Sequence, residues 1–557
     1  MKKNSIYTSL LLFASLALNN QAYSQKNDSL LKDNKIEVIK DFMPVLSEAI
    51  KIPVNPNPEK PTFERPAFTY AVSDQQYLVK PTIYTIKPLS LGTMLLPKLK
   101  GNYTKVGYGN YNMPLLEIGF NTVRNKKYQA GVFVHHLSAN GNDNYTNFSN
   151  SDANAYVKNF FAKGVFSIDA GFQRNGVNLY GSPNDVIKPS AEPSIVYHAY
   201  DANLGYQSLS KDSNNLTYKI NFGFYHFNNS NSYNENDAAL KVILAKHNSN
   251  IPFELATGLR INNNALFKAN LPSSNYQRIY FDLNPQIFLT GTNYYIKGGF
   301  NSTISSDSAG AKFHFFPKAE AAYTIVPKKL SIYAGLTGNL NANTFKNIAA
   351  LNPFATDISL KNTITKVAVY GGLKGELGAK TSFFISTSSA SVQNLVCFTK
   401  DSSKANQLLV YDEGNSKITT LAAGIQYQYN EKFRLGISTT VIGYELKNLA
   451  RAYSLPQFET KLNSTYNIAD KFLLKLDLSY WGERFGRLDA SRGDGTFAST
   501  DVKMNPFLDL NFGIDYRYSK TVSAFINFNN LANNRYQRFY GYTVYGTNFI
   551  GGFTFTF

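Results

Sequence analysis

The last ten residues, Asn548 to Phe557 (NFIGGFTFTF), place Phe549, Phe553, Phe555 and the terminal Phe557 on one face of an extended strand, with small or polar residues between them. An uncovered strand of this kind offers a row of backbone donors and acceptors with nothing to pair. In a bilayer every such group must be satisfied within the protein, and a sheet achieves this only by closing on itself. The ending therefore predicts an all-β fold, a transmembrane antiparallel β-barrel whose aromatic face meets lipid.

The same alternation recurs inside the chain. Phe472, Leu474, Leu476, Leu478 and Tyr480 face one way and Lys475, Asp477 and Ser479 the other. Leu508, Leu510, Phe512, Ile514, Tyr516 and Tyr518 alternate with Asp509, Asn511, Asp515 and Arg517, and Val522, Ala524, Ile526 and Phe528 continue the apolar face. A period of two sustained over about ten residues suits a tilted strand crossing hydrocarbon. Walking up and down from about residue 100 gives about 22 strands, in a range of roughly 18 to 22, and an even number puts both chain ends in the periplasm. Short links such as 124–127, 326–329 and 468–471 are expected as periplasmic turns. The polar stretches 140–152, 175–193, 341–365, 394–417 and 486–505 are expected as extracellular loops in strict alternation with them. A soluble propeller also has many short strands, but it fits neither that alternation nor the N-terminus, and no blade-length repeat is visible.

Met1 to Ser24 carries Lys2 and Lys3, a short apolar run and Ala22-Tyr23-Ser24, the layout of a secretory signal peptide. Residues 25–98 are Pro-rich and read as an extended periplasmic segment, in which 35–52 (KIEVIKDFMPVLSEAIKI) holds enough apolar residues to dock on a periplasmic protein or surface lipoprotein. The barrel is assigned to 99–557. The single cysteine, Cys397, excludes an internal disulfide framework and lipid attachment at Gln25. A formal charge of +18 raises nucleic acid as a partner, but no binding motif accompanies it. Many lysines fall instead in the short links: Lys126, Lys127, Lys163, Lys211, Lys328, Lys329, Lys380, Lys432, Lys471 and Lys520. They are expected to form a basic periplasmic rim.

The stretch Phe528-Asn-Asn-Leu-Ala-Asn-Asn-Arg-Tyr536, then Tyr540-Gly541-Tyr542 and the Phe-terminated strand, resembles the end of TonB-dependent receptor barrels. Phe42 to Leu46 and Lys105 to Tyr111 look like segments of a receptor-like outer-membrane group of Bacteroidota. The resemblance implies location in the outer membrane, contact with its lipid and a part in solute uptake. The roughly 70 residues before the first strand are fewer than the plug domain of that family needs, so something else must fill the lumen. A scaffold barrel within an outer-membrane complex is the alternative function.

Candidate chemistry is sparse. His135 and His136 are adjacent and point to opposite faces of a strand; neither they nor His198, His226, His247 and His314 show metal-ligand spacing. Asp143, Asn144 and Asp152 lack the rest of a calcium loop, and no Gly-x-Ser-x-Gly elbow marks a nucleophile. Arg492-Gly493-Asp494 falls in an expected loop. No enzyme activity and no cofactor are expected. The candidate site is a lumen charge network of Lys475, Asp477, Asp509, Asp515 and Arg517, bearing on what passes the pore.

Overall fold

The computed structural model describes residues 99–557 except 124, 142–145, 182–193, 210–215, 231–232, 247–250, 267–273, 308–309, 357, 403–406 and 492–496. The expected signal peptide, the Pro-rich segment with 35–52, Asp143 and Asn144, Lys211, His247 and the Arg492–Asp494 triplet lie outside the described residues.

Twenty-two antiparallel strands close into a barrel. The first, Tyr103–Gly109, pairs with the second, Met113–Asn121, and also with the last, Asn548–Thr556. The last strand pairs back onto Val522–Asn529. Backbone bonds from Asn102 N to Phe557 O (3.3 Å) and from Phe557 N to Asn102 O (3.0 Å) carry the seam to the final residue. The aromatic terminal strand is thus an internal strand with no free edge.

Its alternation runs as the sequence suggests. Phe549, Phe553, Phe555 and Phe557 are exposed on the outer wall, with Phe553 63% exposed, while Ile550 is buried inside against Met113, Leu115 and Phe525. Exposed Val106, Phe222, Leu259, Ile287, Phe315, Ile332, Val369, Ile425 and Ile437 lie on nine other strands, and together they make an apolar belt around the barrel. Such a surface is stable only against lipid.

The expected alternation of short and long connections is not strict. At the loop end, only three residues separate Tyr103–Gly109 from Met113–Asn121 and Thr217–Asn229 from Tyr233–Lys246, and only two separate Tyr294–Asp307 from Gly310–Val326, as few as at the other end. The expected loop 394–417 is mostly strand: Thr381–Asp401 and Gln407–Gln428 are 21 and 22 residues long and leave only 402–406 between them. The expected loop 486–505 is a hairpin, Arg484–Ser491 against Phe497–Met504, and the strand Phe148–Phe160 takes the end of 140–152. The cause is the same throughout. Beyond the lipid belt a strand has no reason to keep one face apolar, so polar strand and polar loop look alike in sequence.

Lys126, Lys127, Lys163, Lys328, Lys329, Lys380, Lys432, Lys471 and Lys520 stand in the short turns at the end that also holds Asn102 and Phe557. The longest connections, 179–193, 342–362, 446–457, 482–506 and 530–547, all stand at the opposite end, which identifies that end as extracellular and this one as periplasmic.

Candidate functional site

At the extracellular end the connections fold inward over the mouth. Residues 342–362 enter as the helix Phe345–Leu351, capped by the Thr344 hydroxyl accepting from Asn347 N at 3.1 Å, followed by Ala355–Thr356 paired parallel to Gln407–Leu408. The hairpin Arg484–Met504 pairs parallel to Lys400–Asp401 through Leu488–Asp489, and a second small hairpin, Gln537–Phe539 with Tyr542–Thr543, lies beside it.

These pieces share a core with the upper wall. Ile195, Tyr197, Phe227 and Tyr233 from the wall pack with Phe345, Ile348, Phe398, Phe539 and Tyr542, all buried. Phe354 stacks on Tyr542 with centroids 3.7 Å apart, and Tyr180 meets both rings edge-on. This cluster is what orders the roof.

Buried polar groups fix the roof at defined points. The Glu235 carboxylate, sealed from solvent, accepts from Phe345 N (2.8 Å), Lys346 N (3.4 Å) and the Tyr225 hydroxyl (2.7 Å). It meets the unpaired N–H groups and positive dipole end of the helix. Arg278 donates to Asn343 O (2.8 Å) and to Asn262 Oδ1 (2.7 Å), while Asn262 and Arg260 both donate to Asp237. Arg484 donates to the carbonyls of Gln537 and Arg538, and its guanidinium lies 5.3 Å from the Trp481 ring centre and 5.1 Å from that of Phe507. Asp412 accepts from three successive backbone N–H groups, Lys447, Asn448 and Leu449, at 2.6 to 2.9 Å. Gln407 Nε2 donates to Tyr540 O at 2.9 Å.

Burial sets the protonation of roof groups standing above the belt. It pulls the Lys400 ammonium, at the tip of the long hairpin, down to about 7 against the weaker upward pull of Asp401. It pushes the Tyr453 hydroxyl, in the loop 446–457, up to about 12, helped by its hydrogen bond to Asp501.

The five lumen residues expected as one network are placed as separate pairs. Lys475 Nζ lies 2.9 Å from Asp515 Oδ2 across neighbouring strands. Asp477 accepts from Asn463 Nδ2 at 2.5 Å, and Asp509 accepts from the Tyr536 hydroxyl at 3.0 Å. Arg517, next to the periplasmic turn, makes no side-chain hydrogen bond or ion pair among the described residues. Register explains the separation, because Asp477 faces Asn463 on one side and Asn511 on the other. Other ion pairs of opposite sign line the wall, Lys105 with Glu117 and Lys297 with Glu320 among them. Glu235, Arg278, Arg484 and Asp412, the groups that hold the roof, carry no spacing or motif by which the sequence could single them out. Among the described residues no three His, Cys, Asp or Glu side chains converge as a metal site would require.

An even-stranded closed barrel with an apolar belt, short turns at one end and folded loops at the other is the architecture of a bacterial outer-membrane protein. No family model and no curated protein matches the sequence. Solved structures do match the fold. The FrpB iron transporter from Neisseria meningitidis superposes with a TM-score of 0.65 at 9% identity, over 83% of this chain and 82% of that one. The pyoverdine outer-membrane receptor FpvA from Pseudomonas aeruginosa gives 0.63 at 12%, over 83% and 79%. The ferric-catecholate import receptor Fiu from E. coli K12 gives 0.61 at 11%, over 83% and 82%. These neighbours are TonB-dependent receptors, so at the level of fold the chain is a barrel of the TonB-dependent receptor type.

Proposed function

We propose that this chain is an outer-membrane uptake barrel whose entry is controlled at the extracellular mouth by its own folded loops. The observation that supports it is the roof: a packed core closing the mouth of a barrel shared with an iron transporter and two receptors for iron chelates. A 22-stranded barrel without such a closure would leak small solutes. Where the roof meets the wall lies a cavity of about 330 Å³ lined by Phe148, Asn150, Tyr180, Phe354 and Tyr545. The Lys475–Asp515 pair and its neighbours then line the path below, where both signs of charge favour a polar solute over a purely anionic one. By analogy with the iron transporter and iron-chelate receptors of the same fold, the solute class is a metal chelate too large for a diffusion pore.

The scaffold reading has a specific support of its own. The roof is tied down by fully buried groups such as Glu235, Gln407 and Asp412, which suits a permanent closure as well as a gate, and segment 35–52 would supply the docking site. A fold neighbour, FpvAI, is solved in complex with pyocin S2, so a protein partner suits such a barrel. Accumulation of radiolabelled ferric siderophores, measured in cells with and without the gene and after collapse of the proton gradient, separates the two. Gene- and energy-dependent accumulation is expected. Equal accumulation, together with a stoichiometric partner after mild-detergent isolation, assigns the scaffold role.

A further inference from the structure

The outer wall above the belt carries a polar cluster that transport does not use. On the strand Tyr128–Ala139, Leu137 and Ala139 pack inward, so His136 and Ser138 face outward in line with the exposed Val132. His136 Nδ1 lies 2.8 Å from Ser151 Oγ on the neighbouring strand, and His136 Nε2 lies 3.2 Å from Ser138 Oγ. The register sets His136 opposite Ser151 and Ser138 opposite Ser149. Arg174, opposite Ser151 on the third strand, donates from Nη1 to Ser149 Oγ at 3.2 Å. His135, on the inner face, pairs with Asp152 and takes no part.

The height of this cluster is as informative as its geometry. Tyr128 is exposed at the periplasmic turn, and Ser138 follows it by ten residues, about the length that crosses hydrocarbon. The side chains therefore stand where the outer leaflet holds its ester groups.

We propose that Ser138, His136 and Ser151 form an esterase site on the lipid-facing wall, acting on the acyl esters of outer-leaflet lipids. With the proton on Nδ1, His136 donates to Ser151, a positioning residue, and leaves Nε2 to accept from Ser138. Ser138 Oγ attacks the ester carbonyl carbon and its proton passes to His136 Nε2. The tetrahedral intermediate collapses with cleavage of the acyl C–O bond, and the alcohol leaves with the proton from Nε2. Water, deprotonated by the same nitrogen, attacks the acyl-serine and releases a free fatty acid, restoring Ser138. Arg174, held by Ser149 on the same face, supplies positive charge for the developing oxyanion. No oxidant, reductant or co-reactant beyond water is needed.

The test uses the purified full-length protein in detergent micelles, with heat-dependent electrophoretic mobility reporting that each variant is folded. A fluorophosphonate probe is expected to label Ser138, located by peptide mass. Fatty acid release is measured on phosphatidylethanolamine and, separately, on lipopolysaccharide, and the lipid that is cleaved identifies the source of the ester. Ser138→Ala is expected to abolish labelling and lower release by at least ~100-fold. Ser151→Ala is expected to lower release while Ser151→Asn restores it, which a purely structural contact would not do. Absence of fatty acid from both lipids, an adduct on another residue, or unchanged release by folded Ser138→Ala overturns the proposal and leaves the cluster as a hydrogen-bonded polar cap on the belt. None of these outcomes bears on the roof.

Discussion

Glu235 carries one of the heaviest structural burdens in the chain. It is a carboxylate with no contact to water, held by one hydroxyl and two helix N–H groups. Removing it leaves those donors buried and unpaired, at a cost of about 2 to 4 kcal/mol. Glu235→Ala is therefore expected to speed proteolysis within 342–362 while the barrel keeps its melting temperature. Lys400 gives the roof a pH dependence. Its folded value of about 7 lies below the ordinary lysine value of about 10.4, so between these limits the unfolded roof binds more protons than the folded one. The Lys400 contribution to roof stability rises as pH increases from about 7 to about 10 and is constant below 7. Lys400→Met is expected to abolish the rise, read as the denaturant concentration at which the roof becomes protease-sensitive at pH 7 and at pH 9.5. Sequence could show that Lys475 and Asp515 share a face, since parity follows from spacing. It could not show that Asp477 would find an asparagine, because partners across strands depend on register.

The terminal strand separates the two faces at the scale of an element. Phe553 points into lipid, and Thr554 points into the lumen opposite Lys105. Phe553→Arg is expected to cost roughly 2 to 4 kcal/mol and to deplete folded barrel in the membrane, whereas Thr554→Asp is expected to assemble normally. Heat-dependent mobility on gels reads both; equal loss in the two variants would contradict the assignment of faces. Strands were legible wherever lipid enforced the alternation, as in 472–481 and 507–517. The outer halves of Thr381–Asp401 and Gln407–Gln428 were not, because above the belt polar residues serve strand and loop equally. The roof was hidden for a related reason: its core draws single residues such as Phe345, Phe354, Phe539 and Tyr542 from separate connections, and none forms a periodic pattern by itself.

For the whole molecule, closure of the sheet satisfies the backbone in lipid, and the proposed closure of the mouth would let so wide a barrel exist without leaking. The first was readable from composition and alternation; the second needed the loops in place. Thr465 faces the lumen opposite Lys475 and is exposed there. The most direct measurement places a single cysteine at this position, Thr465→Cys with Cys397→Ser, and treats intact cells with a maleimide attached to a polymer too large for diffusion pores. The sealed roof predicts no labelling until the outer membrane is opened to expose the periplasmic end, and labelling of intact cells once Arg484→Ala releases the hairpin. Labelling of the single-cysteine protein in intact cells as fast as in opened ones would contradict the closed mouth.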